Sequence, residues 1–196
     1  FLLRTGICCN KFVNPYDTHE NRDMGRIRRK AEPAIRYAEI LLIYAEALNE
    51  LDGSHNIESW DGSKTYTIKR DINEMKKGIR PIRCRAGIPD YTAAEYASKD
   101  LLREKSNRER MFELMGEGLR YYDLRRWKDA EKEESQPIYG CNTLMTEQYK
   151  DLFHIPVVVP SLPTNFSRKM YFWPISHSEL KRNRLLTQNP GWTYND

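Results

Sequence analysis

No apolar run of about 18 residues occurs among the 196 residues of this chain, so no segment is expected to cross a membrane as a helix. The start carries no basic region followed by an apolar core and a small-residue cleavage site, so no secretory signal is expected within the sequence. Cysteine is scarce, four residues at 8, 9, 84 and 141. No pair has the C-x-x-C spacing of zinc binding or thiol exchange, and adjacent Cys8 and Cys9 are poorly placed to bond each other. Free or buried thiols are the expectation. The residue before Cys8-Cys9 is not the small one that a lipid-attachment site would need. The four histidines (19, 55, 154 and 177) are scattered without ligand spacing. No serine sits in a G-x-S-x-G elbow and no glycine loop is built to cradle phosphate. Neither an active site nor a cofactor is therefore expected. Charge of one sign is also lacking: 32 basic against 28 acidic residues give a net charge of +4. The one basic cluster, Arg22, Arg26, Arg28, Arg29 and Lys30, reads as a solvated loop. The excess is too small and too mixed for a nucleic-acid partner.

The richest stretch is 35–50, which mixes bulky apolar residues, alanines and carboxylates. Pro33 suits a first helical position and Asp52-Gly53 a stop, which bounds a helix of about 28 Å. Ala38, Leu41, Leu42, Ala45 and Leu48 fall at helical spacing as a core-facing stripe. Alanine in that stripe lets a second helix come close, as helical-hairpin repeats do. Ile40, Ile43 and Tyr44 widen the apolar surface, so neighbours are expected on more than one side.

The rest divides coarsely. Residues 1–32 form an irregular entry segment with a short strand candidate at Lys11-Phe12-Val13, closed by Asn14-Pro15. Residues 52–65 read as a polar Gly/Ser loop. A second helix is expected at 67–77 from Ile68, Ile72 and Met75, ended by Gly78 and Pro81, with a turn at 83–89. Thr92 and Glu95 spell a capping box for a third helix over 93–115. Gly116 and Gly118 punctuate it, and a fourth helix follows at 119–133. Beyond lies a loop-rich tail with a strand candidate at 155–159, a short helix capped by Ser176 and a turn at Asn189-Pro190-Gly191-Trp192. The expected fold is mostly α, with helical hairpins at 33–134 and an extended tail at 135–196.

Glu109, Glu113 and Glu117 repeat every four residues and would repel on a single helix face unless arginines meet them. Arg36, Arg110, Arg120 and Arg125 are available, and Arg–carboxylate pairs could pin the hairpins together. A glycosidase-like pair is the sharper alternative. However, both groups would project from one helix face, whereas the chemistry needs carboxylates on opposite sides of the scissile bond. A structural ion network is the preferred reading. Trp127 and Trp173 sit in packed contexts and are expected in the core. Trp60 and Tyr66, on the polar loop after the first helix, are the ligand-binding candidates, since exposed rings can stack on sugars. Anchoring that loop is their plainer alternative role.

Several segments together resemble the C-terminal part of the SusD/RagB family. Arg4-Thr5-Gly6 with Lys11-Phe12, the helix of 35–50, and Arg85-Ala86-Gly87 match in order. So do Arg108-Glu109-Arg110, Glu113-Leu114, Glu117-Gly118, Arg120 and the run Asp123-Leu124-Arg125-Arg126-Trp127. The ending follows in Phe172-Trp173-Pro174-Ile175 and Gln188-Asn189-Pro190-Gly191-Trp192. Departures are Asn183-Arg184, where the family usually has Asn-Pro, and a small insertion at 78–81. The resemblance implies a tetratricopeptide-like scaffold and non-catalytic binding of oligo- or polysaccharide. It also implies delivery to a SusC-like TonB-dependent outer-membrane transporter. It places the protein at the cell surface, lipid-anchored through an N-terminal cysteine that this chain does not contain. Family members are more than twice as long, so residues 1–196 are expected to be a C-terminal region of a longer protein. The matched motifs are scaffold motifs and transfer no glycan-binding residue. Two further readings stand beside it: a helical-repeat scaffold that docks a membrane partner without binding glycan, and a hydrolase using the carboxylate stack.

Overall fold

The computed structural model describes residues 33–143, 147–162 and 164–193, together with 5–7, 9, 11, 13–18, 25, 28 and 29. The chain splits into two compact units, Val13–Arg120 and Phe1–Phe12 with Tyr121–Asp196.

In the first, helix α1 covers Tyr37–Glu50. It is shorter than expected because Arg36 is extended at its N-cap (φ −104°, ψ 148°), which leaves Pro33 outside the helix. Leu42, Ala45, Leu48 and Asn49 are buried, while Ala38 and Leu41 are half-buried. The predicted stripe is therefore the packed face, and α2 and α4 both lie against α1. Ile40 and Ile43, expected to meet further neighbours, are instead exposed, whereas the partly exposed Tyr44 donates its hydroxyl to Glu74 of the next helix at 2.8 Å.

Residues 52–71 depart most from expectation. Strands β1, Ser54–Glu58, and β2, Thr65–Lys69, form an antiparallel hairpin where a loop and the start of a helix were expected. Helix α2 then runs Ile72–Arg85, beginning at Asp71, whose carboxylate accepts from the amides of Asn73 and Glu74. That cap satisfies N–H groups a helix start leaves orphaned. The helix passes through Gly78 and Pro81, so these residues do not end it. Gly78 is buried against α1: a Cβ there would lie 2.4 Å from the Leu41 carbonyl oxygen and 2.8 Å from the Ala45 Cβ. Glycine and alanine thus face each other where the two helices come close together.

The capping box is present, with Thr92 and Glu95 bonding reciprocally at the start of α3, Ala93–Ala97. The expected single helix breaks at extended Ser98, which in turn caps α4, Lys99–Glu113. Two buried groups hold these helices: Ala45, Leu48, Met75, Ile79, Tyr96 and Leu102, and then Leu42, Ile82 and Leu114. Tyr96 is fully buried, and its hydroxyl donates to Asp90 Oδ1 at 2.8 Å.

The second unit is thinner in regular structure. Helix α5, Leu119–Arg126, enters it, and α6, Ala130–Glu133, follows a break at Lys128, whose φ is +61°. The expected strand at 155–159 is reduced to β4, Val157–Val158, paired with β3, Tyr139–Gly140. Leu124, Ala130 and Phe166 form its core, with Met170 and Tyr171 packed on it. Helix α7, His177–Arg182, begins after Ser176 at the N-cap position, but the Ser176 hydroxyl bonds Ser178 Oγ at 3.0 Å and caps no backbone amide. The Trp192 amide closes the terminal turn on the Asn189 carbonyl at 3.2 Å. Trp173 is not a core residue: it is 75% exposed. Trp127 is half-buried, with the Arg126 guanidinium 4.7 Å from its ring centre.

In the entry segment, Asn14-Pro15 makes a turn closed by Asp17 N–H on the Asn14 carbonyl at 3.0 Å. Lys11 and Val13 are not in a strand, and Phe12 lies outside the described residues. Arg28 and Arg29 are exposed; Arg22, Arg26 and Lys30, like Cys8, lie outside the described residues.

Candidate functional site

The hairpin is built by alternation. Its register pairs His55 with Ile68 and Ile57 with Tyr66, so these four share one face. Ser54, Asn56, Glu58, Thr65, Thr67 and Lys69 share the other, where the Thr67 hydroxyl donates to Asn56 Oδ1 at 2.8 Å. One side of the ribbon is therefore apolar and aromatic, the other polar. The apolar side is open to solvent, with Ile57 and Tyr66 each about half exposed.

Trp60 stands in the connecting turn, 98% exposed. That turn is fastened from within. The Ser59 amide donates to the Lys64 carbonyl at 2.8 Å and the Gly62 amide to the Ser59 carbonyl at 2.9 Å. Gly62 has φ +68°, a conformation glycine adopts without strain. Asp61 Oδ1 accepts from Ser59 Oγ at 2.6 Å, Ser63 Oγ at 2.8 Å and the Ser63 amide at 3.1 Å. The Ser59 hydroxyl, then the Ser63 amide and hydroxyl, pull the Asp61 carboxyl down to about 2. Three donors on one carboxylate oxygen hold the turn while leaving the indole in water.

The root of the hairpin is anchored as firmly. Arg70, next after β2, donates from Nε and Nη2 to Asn49 Oδ1 at 3.2 and 3.0 Å, and from Nη2 to the Tyr96 carbonyl at 2.6 Å. The Asn49 amide donates to the Lys99 carbonyl at 2.9 Å. Asn49 is 1% exposed, so these bonds also satisfy a buried amide that would otherwise be costly.

Both candidates from the sequence thus lie on one element. Trp60 is in the turn as expected, whereas Tyr66 is on β2 opposite Ile57 and not in a loop. No ring pair among the described residues joins the two, so they offer two separate flat surfaces along one ribbon. Sequence reasoning missed Asn49 and Arg70. It also missed the hairpin, although Thr65-Tyr66-Thr67-Ile68 alternates β-formers and Asp61-Gly62 is a hairpin turn signal.

The carboxylate row is an ion network. Arg36 donates from Nη1 to Glu113 Oε1 at 2.9 Å and from Nε to Glu117 Oε2 at 2.9 Å. Arg83 Nη1 reaches Glu109 Oε2 at 2.6 Å, and Arg85 Nη2 reaches Glu113 Oε2 at 2.5 Å. The Tyr91 hydroxyl also donates to Glu109, and burial raises that phenol's pKa. Arg36 was expected here; Arg83 and Arg85 come from the unexpected C-terminal extension of α2. Arg125 bonds Glu134 instead, at 3.2 Å. Glu117 lies past the end of α4, so no continuous three-carboxylate helix face exists. Each glutamate accepts from an arginine, an arrangement that ties the helices together.

Beside this network, the start of α1 and the end of α2 border an open groove of about 570 Å³, with Ile35, Tyr37, Leu41, Pro81 and Ile82 in its lining. Among the described residues, no three His, Cys, Asp or Glu side chains gather as a metal site. Cys9, Cys84 and Cys141 are free thiols.

Three comparisons bear on this geometry. The family model described as "SusD family" matches residues 3–192. A curated relative, SusD-like protein P2 of Formosa agariphila, is 30% identical over 163 residues, covering 81% of this chain and 25% of that protein. Among solved structures, BT4246 matches with a TM-score of 0.75 at 26% identity, covering 96% of this chain and 30% of that one. A SusD-like protein from Bacteroides fragilis matches with a TM-score of 0.58 at 26% identity, covering 81% and 25%. The chain thus spans about a quarter of the length of the curated relative.

Proposed function

The chain belongs to the SusD family, and from that premise we propose that it serves a cell-surface protein that binds oligo- or polysaccharide without cleaving it. On this reading the sugar is handed to a SusC-like TonB-dependent transporter in the outer membrane, and the protein is lipid-anchored there. Neither nucleic acid nor a cofactor takes part. The observation that carries the reading is Trp60, fully exposed on a turn that Asp61 holds shut. An indole left in water on a stiff turn is prepared to stack on a sugar ring, because little ordering is required at contact. Tyr66, on the apolar face of the same hairpin, adds a second ring and a hydroxyl suited to sugar oxygens.

Affinity gel electrophoresis of the intact protein against a panel of polysaccharides tests this. Retardation by at least one glycan, weakened in Trp60→Ala, is expected; mobility unchanged by every glycan would end the reading. The hydrolase alternative is disfavoured by the arginine-bound glutamates and predicts reducing sugar that disappears in Glu113→Gln. A scaffold role finds support in exposed Tyr37, Ile40, Ile43 and Tyr44 on α1. It predicts transporter binding with no glycan retardation at all.

A further inference from the structure

The C-terminal stretch presents a second surface of different chemistry, independent of sugar binding. After α7 the chain makes a tight turn, with the Leu186 amide on the Asn183 carbonyl at 3.0 Å and the Leu185 amide on Asn183 Oδ1 at 3.0 Å. Leu185 at its tip is 92% exposed, and Leu186 is exposed beside it. Exposed Lys181, Arg182 and Arg184 flank them. Between 165 and 193 there are five Lys/Arg and one acid, which leaves 27 bases and 27 acids elsewhere. The whole net charge of the chain therefore resides in this segment.

The segment is also stiffened. Gln188 accepts from the Ile175 amide at 2.8 Å and donates to the Ile175 carbonyl at 3.0 Å. Asn189 Nδ2 donates to the Trp173 carbonyl at 2.6 Å. The Trp192 indole N–H donates to the carbonyls of Lys169 and Phe172, both at 3.0 Å. These bonds fix the Phe172 and Trp173 carbonyls, while the two residues remain 60% and 75% exposed.

We propose that this leucine turn and its cations dock on an anionic lipid surface, with Leu185 and Leu186 entering the acyl boundary and Lys181, Arg182 and Arg184 meeting the headgroups. Apolar tips with Trp or Phe beside Lys and Arg are suited to the bilayer interface, where rings sit at headgroup level and cations face phosphate. Charge complementarity selects the anionic bilayer over a neutral one. Each cation near such a surface strengthens binding roughly fivefold.

Co-sedimentation of the intact protein with phosphatidylcholine vesicles, with and without phosphatidylglycerol, tests the proposal. Binding is expected to vesicles containing phosphatidylglycerol and to fall at high salt. Leu185→Ser should weaken it roughly tenfold, and Arg182→Ser with Arg184→Ser roughly 25-fold. Both changes lie on exposed positions, and circular dichroism should show an unaltered fold. Trp60→Ala should leave vesicle binding intact, as Leu185→Ser should leave glycan retardation intact, so the two surfaces fail separately. Absence of binding to anionic vesicles would overturn the proposal, as would equal binding to neutral ones or binding indifferent to all three substitutions. Self-association abolished by Leu185→Ser would assign the turn to a second copy and overturn it too.

Discussion

The helices of the Val13–Arg120 unit and the hairpin between two of them obey opposite rules. α1, α2 and α4 each bury one apolar face and tie their charges to one another. The hairpin leaves its apolar residues in water and ties its polar groups into its own turn and root. An isolated two-stranded hairpin is marginal in water. Here Asn49–Arg70 at one end and Asp61 at the other supply the order that a buried face would otherwise give. If the hairpin binds glycan as proposed, stability and recognition fall to different residues of one unit, and substitutions should separate them.

The largest effect is expected from the core. Tyr96→Ala removes a fully buried ring and its bond to Asp90, and should cost about 3–5 kcal/mol in denaturant unfolding. Gly78→Ala comes next. Alanine is the better helix former by about 1 kcal/mol, but its Cβ would meet backbone at 2.4 Å, and backbone cannot swing aside as a side chain does. A net loss of about 2 kcal/mol is expected, read as a lower thermal midpoint; a midpoint that rises would contradict the close approach. Trp60→Ala should change stability by less than about 0.5 kcal/mol while abolishing most glycan retardation. A clear drop in midpoint would show instead that the indole anchors the turn.

The smallest effect concerns acid. The Asp61 carboxyl is held down to about 2 in the fold, below the ordinary value of about 3.9 for the unfolded chain. Its contribution is therefore complete above pH about 4 and is lost as pH falls toward 2. Backbone amide signals of residues 59–64 should keep their dispersion at pH about 3 and lose it near 2, and Asp61→Asn should lose that protection.

Much of the helical frame could be read from residues alone. The stripe Leu42, Ala45 and Leu48 and the box Thr92/Glu95 are local patterns, and both are realised. The hairpin escaped because Ile68 serves two periods at once. It alternates with Tyr66 in a strand, yet it also stands four and seven residues before Ile72 and Met75, which look like one helix face. Only the cap at Asp71 separates the two, and Asp71 reads as a cap only once the strand is known. Gly78 and Pro81 misled in a similar way. Both are helix breakers by propensity, but propensity yields to packing when a neighbouring helix needs the room. The exposure of Trp173 was not legible either, since its carbonyl and not its ring makes the contact that fixes it. Trp60 was legible as a loop aromatic because Asp61, Gly62 and Ser63 surround it with turn chemistry. Tyr66 was found for its ring, but its strand was not.

Gly78 also works as an index pin. A helix packed only by greasy side chains can slide or roll by a residue and still bury similar area. One residue of slip turns α2 through about 100°. Because the notch at Gly78 accepts the Leu41–Ala45 stretch of α1 and no other residue of α2 is so bare, the rotation has a single setting. Five and seven positions further on, that setting aims Arg83 at Glu109 and Arg85 at Glu113. An atom-sized gap near the middle of one helix thereby decides which ion pairs can close at its far end.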